Sequence, residues 1–272
     1  MPEGDTIFQA AARLHAVLAG RAIQRFVSPL PQLKERDLDG RGVTRVYARG
    51  KNLVIALDDG RAIRTHLRME GVWYVRKKAE LSPREKLRFE NEPHALNPVL
   101  TMIIETDVAL AVCERAAIAE LAPLASIERE LSSLGPDLLS ADFDAELARG
   151  NLRDRPELAI GDAVMLQSLL AGIGNVYKSE LLFLEKLNPF KPIAELDDAT
   201  LDKLIARARD LMNRNRNSSR RSNFGKINGL KYYVYNRSGE HCLKCDARIG
   251  MRRQGSQQRS TYFCPVCQNV PR

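Results

Sequence analysis

Four cysteines stand in two pairs, Cys242-x2-Cys245 and Cys264-x2-Cys267, separated by residues 246–263. Such pairs put two thiolates on each of two turns with a hairpin between them, the ligand set of a tetrahedral zinc site. Two disulfides are the alternative, and they suit an oxidising compartment rather than the interior of a cell. Four thiolates leave no open coordination position, so a zinc ion here is expected to be structural and to replace a core that so short a segment cannot build. The fifth cysteine, Cys113, follows the apolar run 108–112 and is expected to be packed rather than reactive. Between the pairs lie Arg248, Arg252, Arg253 and Arg259, with Tyr262 and Phe263 close by. Cations on a hairpin of this kind can meet phosphates. A solvated charged face is the other reading, and it stays open for the arginines other than Arg259.

Two further stretches could do chemistry. Gly172-Ile-Gly-Asn175 reads either as a tight corner between helices or as a helix start whose amides, beside Asn175 and with Lys178 one turn on, hold a phosphate. The chain begins Met1-Pro2-Glu3. Removal of Met1 leaves Pro2 with a terminal secondary amine, and an α-amino group has a pKa near ~8, against ~10.4 for lysine. About a tenth of it is therefore unprotonated at neutral pH. Proline's amine is somewhat more basic than that, but the positive end of a following helix lowers it again. A free secondary amine can attack a sugar aldehyde carbon and form an iminium. Glu3 beside it could then carry protons. On residue type alone, most chains that open this way use these residues for nothing.

These residues need elements to hold them. Ile7, Phe8, Ala11, Leu14 and Leu18 recur at helical spacing, with cap oxygens on Asp5 and Thr6 and a stop at Gly20. From about residue 22 to 113, short apolar runs such as 53–57, 72–75, 99–104 and 108–112 alternate with turn residues, and Asp58-Asp-Gly60 marks a hairpin. One helix followed by several short strands predicts an antiparallel sandwich. The charged stretch from Lys77 to Pro98 reads as an exposed loop. Helical spacing returns through Leu121, Leu124, Ile127 and Leu131, then over 157–171, 176–187 and 197–213. The polar, basic run from Arg214 to Asn223 is expected to form a loop. The predicted fold is α+β and multidomain: a β-sandwich with its helix over 1–115, a helical domain over 116–235 and a zinc hairpin over 236–272.

Composition agrees with a globular chain that meets a polyanion. Of 272 residues, 44% are hydrophobic and 28% charged, and Lys plus Arg number 42 against 34 acidic residues, a net charge of +8. The surplus favours nucleic acid as partner. No apolar run approaches the ~20 residues of a membrane span, and the first residues lack the pattern of a secretory signal. A cytoplasmic, nucleoid-associated bacterial protein acting as a monomer is expected.

Five motifs occur in order: Met1-Pro-Glu-Gly-Asp5, Arg49-Gly-Lys51, His66-Leu-Arg-Met-Glu-Gly71, Leu170-Ala-Gly-Ile-Gly-Asn-Val-Tyr177 and Tyr262-Phe-Cys-Pro-Val-Cys-Gln268. On them the whole chain resembles the formamidopyrimidine-DNA glycosylase/endonuclease VIII family of bifunctional DNA repair enzymes, and looks nearest the endonuclease VIII branch. The resemblance implies a sandwich, a helix–two-turn–helix domain and a zinc finger gripping damaged double-stranded DNA. It implies Pro2 as the nucleophile at C1′, Glu3 as general acid/base, Lys51 on a strand as a phosphate contact that assists β-elimination, and Arg259 as a phosphate contact for δ-elimination. Asn175, with Lys178, would hold a backbone phosphate. Met69 would fill the gap left by an extruded nucleotide, where a flexible thioether suits an irregular space, and Arg68 would reach the opposite strand; Met69 as a cap on the sandwich core is the plainer alternative.

Three departures bear on lesion choice. Thr6 stands where many members carry Glu, Leu131-Ser-Ser-Leu134 lacks an arginine found in some relatives, and Glu114-Arg-Ala-Ala117 matches the wedge pair of formamidopyrimidine glycosylases poorly. Excision of oxidised pyrimidines is expected. The other readings are excision of oxidised purines, a non-catalytic damage-binding module, and an RNA-binding zinc protein.

Overall fold

The computed structural model describes residues 2–34, 37–84, 98–217 and 230–271. Met1, most of the predicted loop between Lys77 and Pro98, and the basic run beyond Asn217 lie outside the described residues. The chain divides into two compact units, one of residues 1–2 and 6–132, the other of residues 3–5 and 133–272.

The first unit holds helix α1 (Gly4–Leu18) from Thr6 onward, the short helix α2 (Pro31–Lys34) and two antiparallel sheets. Sheet one runs β1 (Arg21–Ala22), β3 (Gly42–Arg49), β4 (Asn52–Leu57), β5 (Arg61–His66), β9 (Ile118–Pro123); sheet two runs β2 (Arg25–Val27), β7 (Leu100–Glu105), β8 (Ala109–Glu114), β6 (Val72–Lys77). The apolar stripe of α1, Ile7, Ala11, Leu14 and Leu18, is buried between Leu53, Ile55 and Ile63 of sheet one and Met102, Ile104 and Ala111 of sheet two. The unbroken apolar run of β8 is explained by two cores. Ala111 and Cys113 face the main one, while Leu110 and Val112 face a second cluster with Leu100 and Ile103. Cys113 is thus a packed side chain, and burial raises its thiol pKa well above the ordinary value.

The helical reading after Ala116 is corrected. Residues 118–123 form strand β9, paired with β5 from Arg61↔Pro123 to His66↔Ile118, and only α3 (Leu124–Leu131) is helical. Leu121 fits helical spacing, but the open edge of β5 takes up the backbone groups of the segment that face it, and Pro123 supplies the break. The first unit accordingly extends to Ser132, beyond the boundary expected at 115.

The second unit contains α4 (Ala145–Arg153), α5 (Ile160–Ala163), α6 (Asn175–Leu184), α7 (Asp198–Arg216) and the hairpin β10 (Gly250–Gln254) with β11 (Arg259–Phe263). The helix predicted over 157–171 shrinks to α5 followed by tight turns. Its backbone is claimed by other segments: Ile160 and Gly161 donate to the carbonyls of Lys191 and Pro189, Ala171 donates to Pro136, and Gln167 accepts from Gly135. No helix among the described residues is long and apolar enough to cross a membrane.

Candidate active site and metal centre

A helix start leaves its first amides without intrahelical partners and carries the positive end of the dipole. At α6 those donors are taken by the chain's own third residue. Glu3 is fully buried, and its carboxylate accepts from the amides of Gly174 (3.1 Å), Val176 (2.8 Å) and Tyr177 (3.2 Å). The amides of Gly174, Val176 and Tyr177 are therefore given to an internal carboxylate rather than left for a phosphate. Gly174 has no side chain for a direct reason: a Cβ there would lie 2.5 Å from the Glu3 carboxyl carbon. Gly172 adopts φ +112°, the left-handed region, and its carbonyl accepts the Gly4 amide at 3.0 Å. Because α1 begins at Gly4, Asp5 lies inside its first turn rather than capping it. Its Oδ2 accepts from the Tyr177 hydroxyl at 3.0 Å, and that hydroxyl accepts from Asn215 Nδ2 at 2.6 Å.

The next residues of α6 face the hairpin. Asn175 is buried and donates from Nδ2 to Ser260 Oγ at 3.3 Å, while its Oδ1 has no hydrogen-bond partner. Lys178 is also buried, and its ammonium donates to Thr261 Oγ1 (2.7 Å) and the Ser260 carbonyl (3.3 Å). Burial pushes its pKa down to about 8. The lysine read as a surface phosphate contact is thus a strut between helix and hairpin. Its partner Ser260 directly follows Arg259, whose Nε donates to Gln257 Oε1. Arg248, Arg252 and Arg253 donate to the carbonyls of Gly239, Pro271 and Gln258. Glu180, farther along α6 and buried, accepts from the amides of Tyr233, Val234 and Tyr235. Burial and then the Glu3 charge raise the pKa of the Tyr235 phenol, which lies beside Asn175.

In the first unit, the register Arg49↔Asn52 leaves Gly50 and Lys51 as the tip of the β3–β4 hairpin, so Lys51 sits on a turn and not on a strand. His66 faces Asn52 across the neighbouring pair. Burial, then the charges of Lys51 and Arg68, lower the His66 pKa, and its neutral Nδ1 accepts the Arg68 amide at 3.2 Å. Arg68 itself takes φ +47°, rare for a residue with a side chain. Met69 follows it with 57% of its surface exposed, which rules out a role as a core cap. Pro2 is half-buried and directly precedes Glu3.

The four paired cysteines converge at the base of the hairpin, with their Sγ atoms within 4.8 Å of one another. Cys242 and Cys267 are 3.9 Å apart, Cys245 and Cys264 3.3 Å. All are free thiols, so the disulfide alternative falls. Amides of Lys244 and Cys267 donate to the sulfurs of Cys242 and Cys264, each at 3.4 Å. Four sulfurs bound at ~2.3 Å in a tetrahedron are about 3.8 Å apart, so this cluster is placed to bind a metal.

The roles of Asp5, Tyr177, Asn215, Glu180 and Tyr235 were not read from the sequence. Asp5 and Tyr177 stand inside quoted motifs, but nothing in their spacing pairs them. Glu180 is the one acidic residue of α6, the one signal that marked it.

Comparison with known proteins agrees with this geometry. Residues 1–99 match the formamidopyrimidine-DNA glycosylase N-terminal domain, and residues 134–222 its H2TH domain. A "Probable endonuclease 8 2" of Streptomyces coelicolor is 39% identical over 100% of this chain and 95% of its own length. The "DNA-(apurinic or apyrimidinic site) lyase Nei2" of Mycolicibacterium smegmatis is 35% identical over 99% of this chain and 100% of its own. Among solved structures, a complex of Lactococcus lactis Fpg with DNA containing an abasic site superposes with a TM-score of 0.77 at 25% identity, covering 98% of this chain and 99% of that one. With the fold, the motif order and the full-length relatives in agreement, the chain belongs to the formamidopyrimidine-DNA glycosylase/endonuclease VIII family of DNA glycosylases and AP lyases.

Proposed function

We propose that this protein excises oxidised bases, pyrimidines foremost, from double-stranded DNA and then nicks the strand, acting as a monomer. The observation that carries this reading is the anchoring of Glu3: a buried carboxylate held by three amides fixes the residue next to Pro2. Loss of Met1 frees the Pro2 amine, whose lone pair attacks C1′ of the extruded nucleotide as the glycosidic bond breaks. Ring opening then gives an iminium, with the proton carried by Glu3. Loss of a C2′ proton expels the 3′ phosphate, and a second elimination expels the 5′ phosphate. Lys51, on its hairpin tip, and Arg259, on the metal hairpin, would stabilise the phosphates that leave. Asn175 would hold a backbone phosphate, Met69 would fill the vacated stack and Arg68 would contact the opposite strand. Lys178 is left out of the DNA contacts because its ammonium is given to β11.

The donor set of four thiolates, with amides supporting two of the sulfurs, fits zinc. Cys242, Cys245, Cys264 and Cys267 would hold one ion, which would order the hairpin and do no chemistry at the lesion.

Borohydride trapping on duplex bearing an abasic site or an oxidised pyrimidine tests the proposal. The wild-type protein should yield a covalent adduct and a nicked strand, and Pro2→Gly should lose most of both. Undiminished trapping and nicking by Pro2→Gly would remove Pro2 as nucleophile. Tight binding without any cleavage by the wild-type protein would favour the non-catalytic reading.

A further inference from the structure

Asp5 is a second carboxylate, two residues beyond the first, and the proposed chemistry has no use for it. Asp5, Tyr177 and Asn215 are each fully buried and come from three separate elements: the first turn of α1, the first turn of α6 and the last turn of α7. They form a chain of hydrogen bonds, Asn215 Nδ2 to the Tyr177 hydroxyl (2.6 Å) and that hydroxyl to Asp5 Oδ2 (3.0 Å). A phenol that accepts one hydrogen bond while donating another has its proton aimed along a single direction. Tyr177 also uses its main chain, since its amide donates to Glu3 Oε2 at 3.2 Å. One residue thus holds both acids of the Glu3-Gly4-Asp5 segment, and the Gly4 amide between them is held by Gly172.

We propose that Tyr177 is the positioning residue of the reacting terminus: its amide helps to fix Glu3, and its phenol, oriented by Asn215, fixes Asp5, so that one residue ties both acids of the chain leaving Pro2. The inference rests on the reading that Pro2 and Glu3 carry the chemistry. Besides the contacts at Glu3 and at the Gly4 amide, the Asp5 bond ties down the first turn of α1, so the segment is fixed beyond the Glu3 carboxylate. Small displacements of a nucleophile reduce rate steeply while leaving distant DNA contacts alone. The signature of this role is therefore a loss in the chemical step without a loss in binding.

The test uses the zinc-loaded full chain without Met1, with single-turnover borohydride trapping on abasic duplex at saturating protein. Affinity is measured separately on duplex with a non-reactive abasic analogue. Tyr177→Phe should slow adduct formation by about tenfold or more, with Kd changed by less than about threefold. Asp5→Ala should slow it comparably, and Asp5→Asn, which keeps an oxygen for the phenol, should recover most of that loss. The double variant Asp5→Ala/Tyr177→Phe should be no slower than the slower single variant by more than about twofold, because both cut the same link. Asn215→Ala, with the phenol no longer oriented, should fall between wild type and Tyr177→Phe; should Tyr177→Phe not fold, Asn215→Ala and the Asp5 pair carry the test. A wild-type trapping rate in Tyr177→Phe, a loss confined to Kd, or losses that multiply in the double variant would overturn the inference. Pro2→Gly in the same assay separates the two readings. If it traps like wild type, the nucleophile assignment fails; if it does not, while Tyr177→Phe does, only the positioning role fails.

Discussion

Two polar side chains on one turn of α6 show how burial redefines a residue. Asn175 and Lys178 both reach the hairpin, and the lysine does so from a fully interior position. Desolvation disfavours the ammonium, which brings the pKa from an ordinary 10.5 to about 8. Below pH 8 folded and unfolded chains both hold this proton, and the desolvation penalty is fully present. Between about 8 and 10.5 the unfolded chain keeps the proton that the folded chain has released, so stability rises with pH, by up to about 1.4 kcal/mol per unit. Denaturant unfolding of wild type and Lys178→Met across pH 7–10 should show the difference shifting in favour of wild type above pH 8. Parallel pH profiles would contradict the buried, ionised assignment. Glu3 is the opposite case. Its buried carboxylate meets three N–H donors and the positive end of a helix, so its charge is compensated where it sits.

At the level of elements, α6 works through its ends and sides rather than through its apolar content. Its amides take Glu3, Tyr177 takes Asp5, Asn175 and Lys178 take Ser260 and Thr261, and Glu180 takes the amides of residues 233–235. On the proposed reading, the hairpin it supports joins two functions in one element. β10 and β11 pair from Gly250↔Phe263 to Gln254↔Arg259, with the cysteines at the base and Arg259 by the turn. The metal scaffold and the proposed phosphate contact at Arg259 should therefore be separable by substitution. Cys245→Ser should release the metal and lose hairpin order together with DNA binding, because metal binding and folding of so small a module are one process. Arg259→Ala should keep a full equivalent of zinc while weakening DNA binding and the second elimination. Zinc content by metal analysis, read beside binding isotherms, checks this; the same loss in both variants would contradict the division.

For the molecule as a whole, a net charge of +8 makes DNA affinity a function of salt. The slope of log K against log salt should be roughly −0.9 per phosphate neutralised. Arg259→Ala should make it shallower by about one such contact, as fluorescence anisotropy across a salt series would show, whereas an unchanged slope would place Arg259 away from the phosphates. Much of this was legible from residue order. The paired cysteines, the apolar stripe of α1, the alternating short strands and the five ordered motifs are local patterns, and local patterns follow from spacing and side-chain chemistry alone. The errors fell where distant backbone competed with spacing: residues 118–123 joined a sheet edge, and the stretch after Ile160 gave its amides and carbonyls to residues 135–136 and 189–191. Site roles divided the same way. The cysteines could be chosen by type and spacing, whereas Pro2 and Glu3 were singled out only by the family resemblance that the ordered motifs carry. That Glu3 rather than a phosphate fills the start of α6, that Lys178 is a strut, and that Asp5 meets Tyr177 and Asn215 were decided by tertiary structure alone. Such partners lie as far apart as Glu3 and Val176, and no periodicity along the chain records which buried donor a buried acceptor will find.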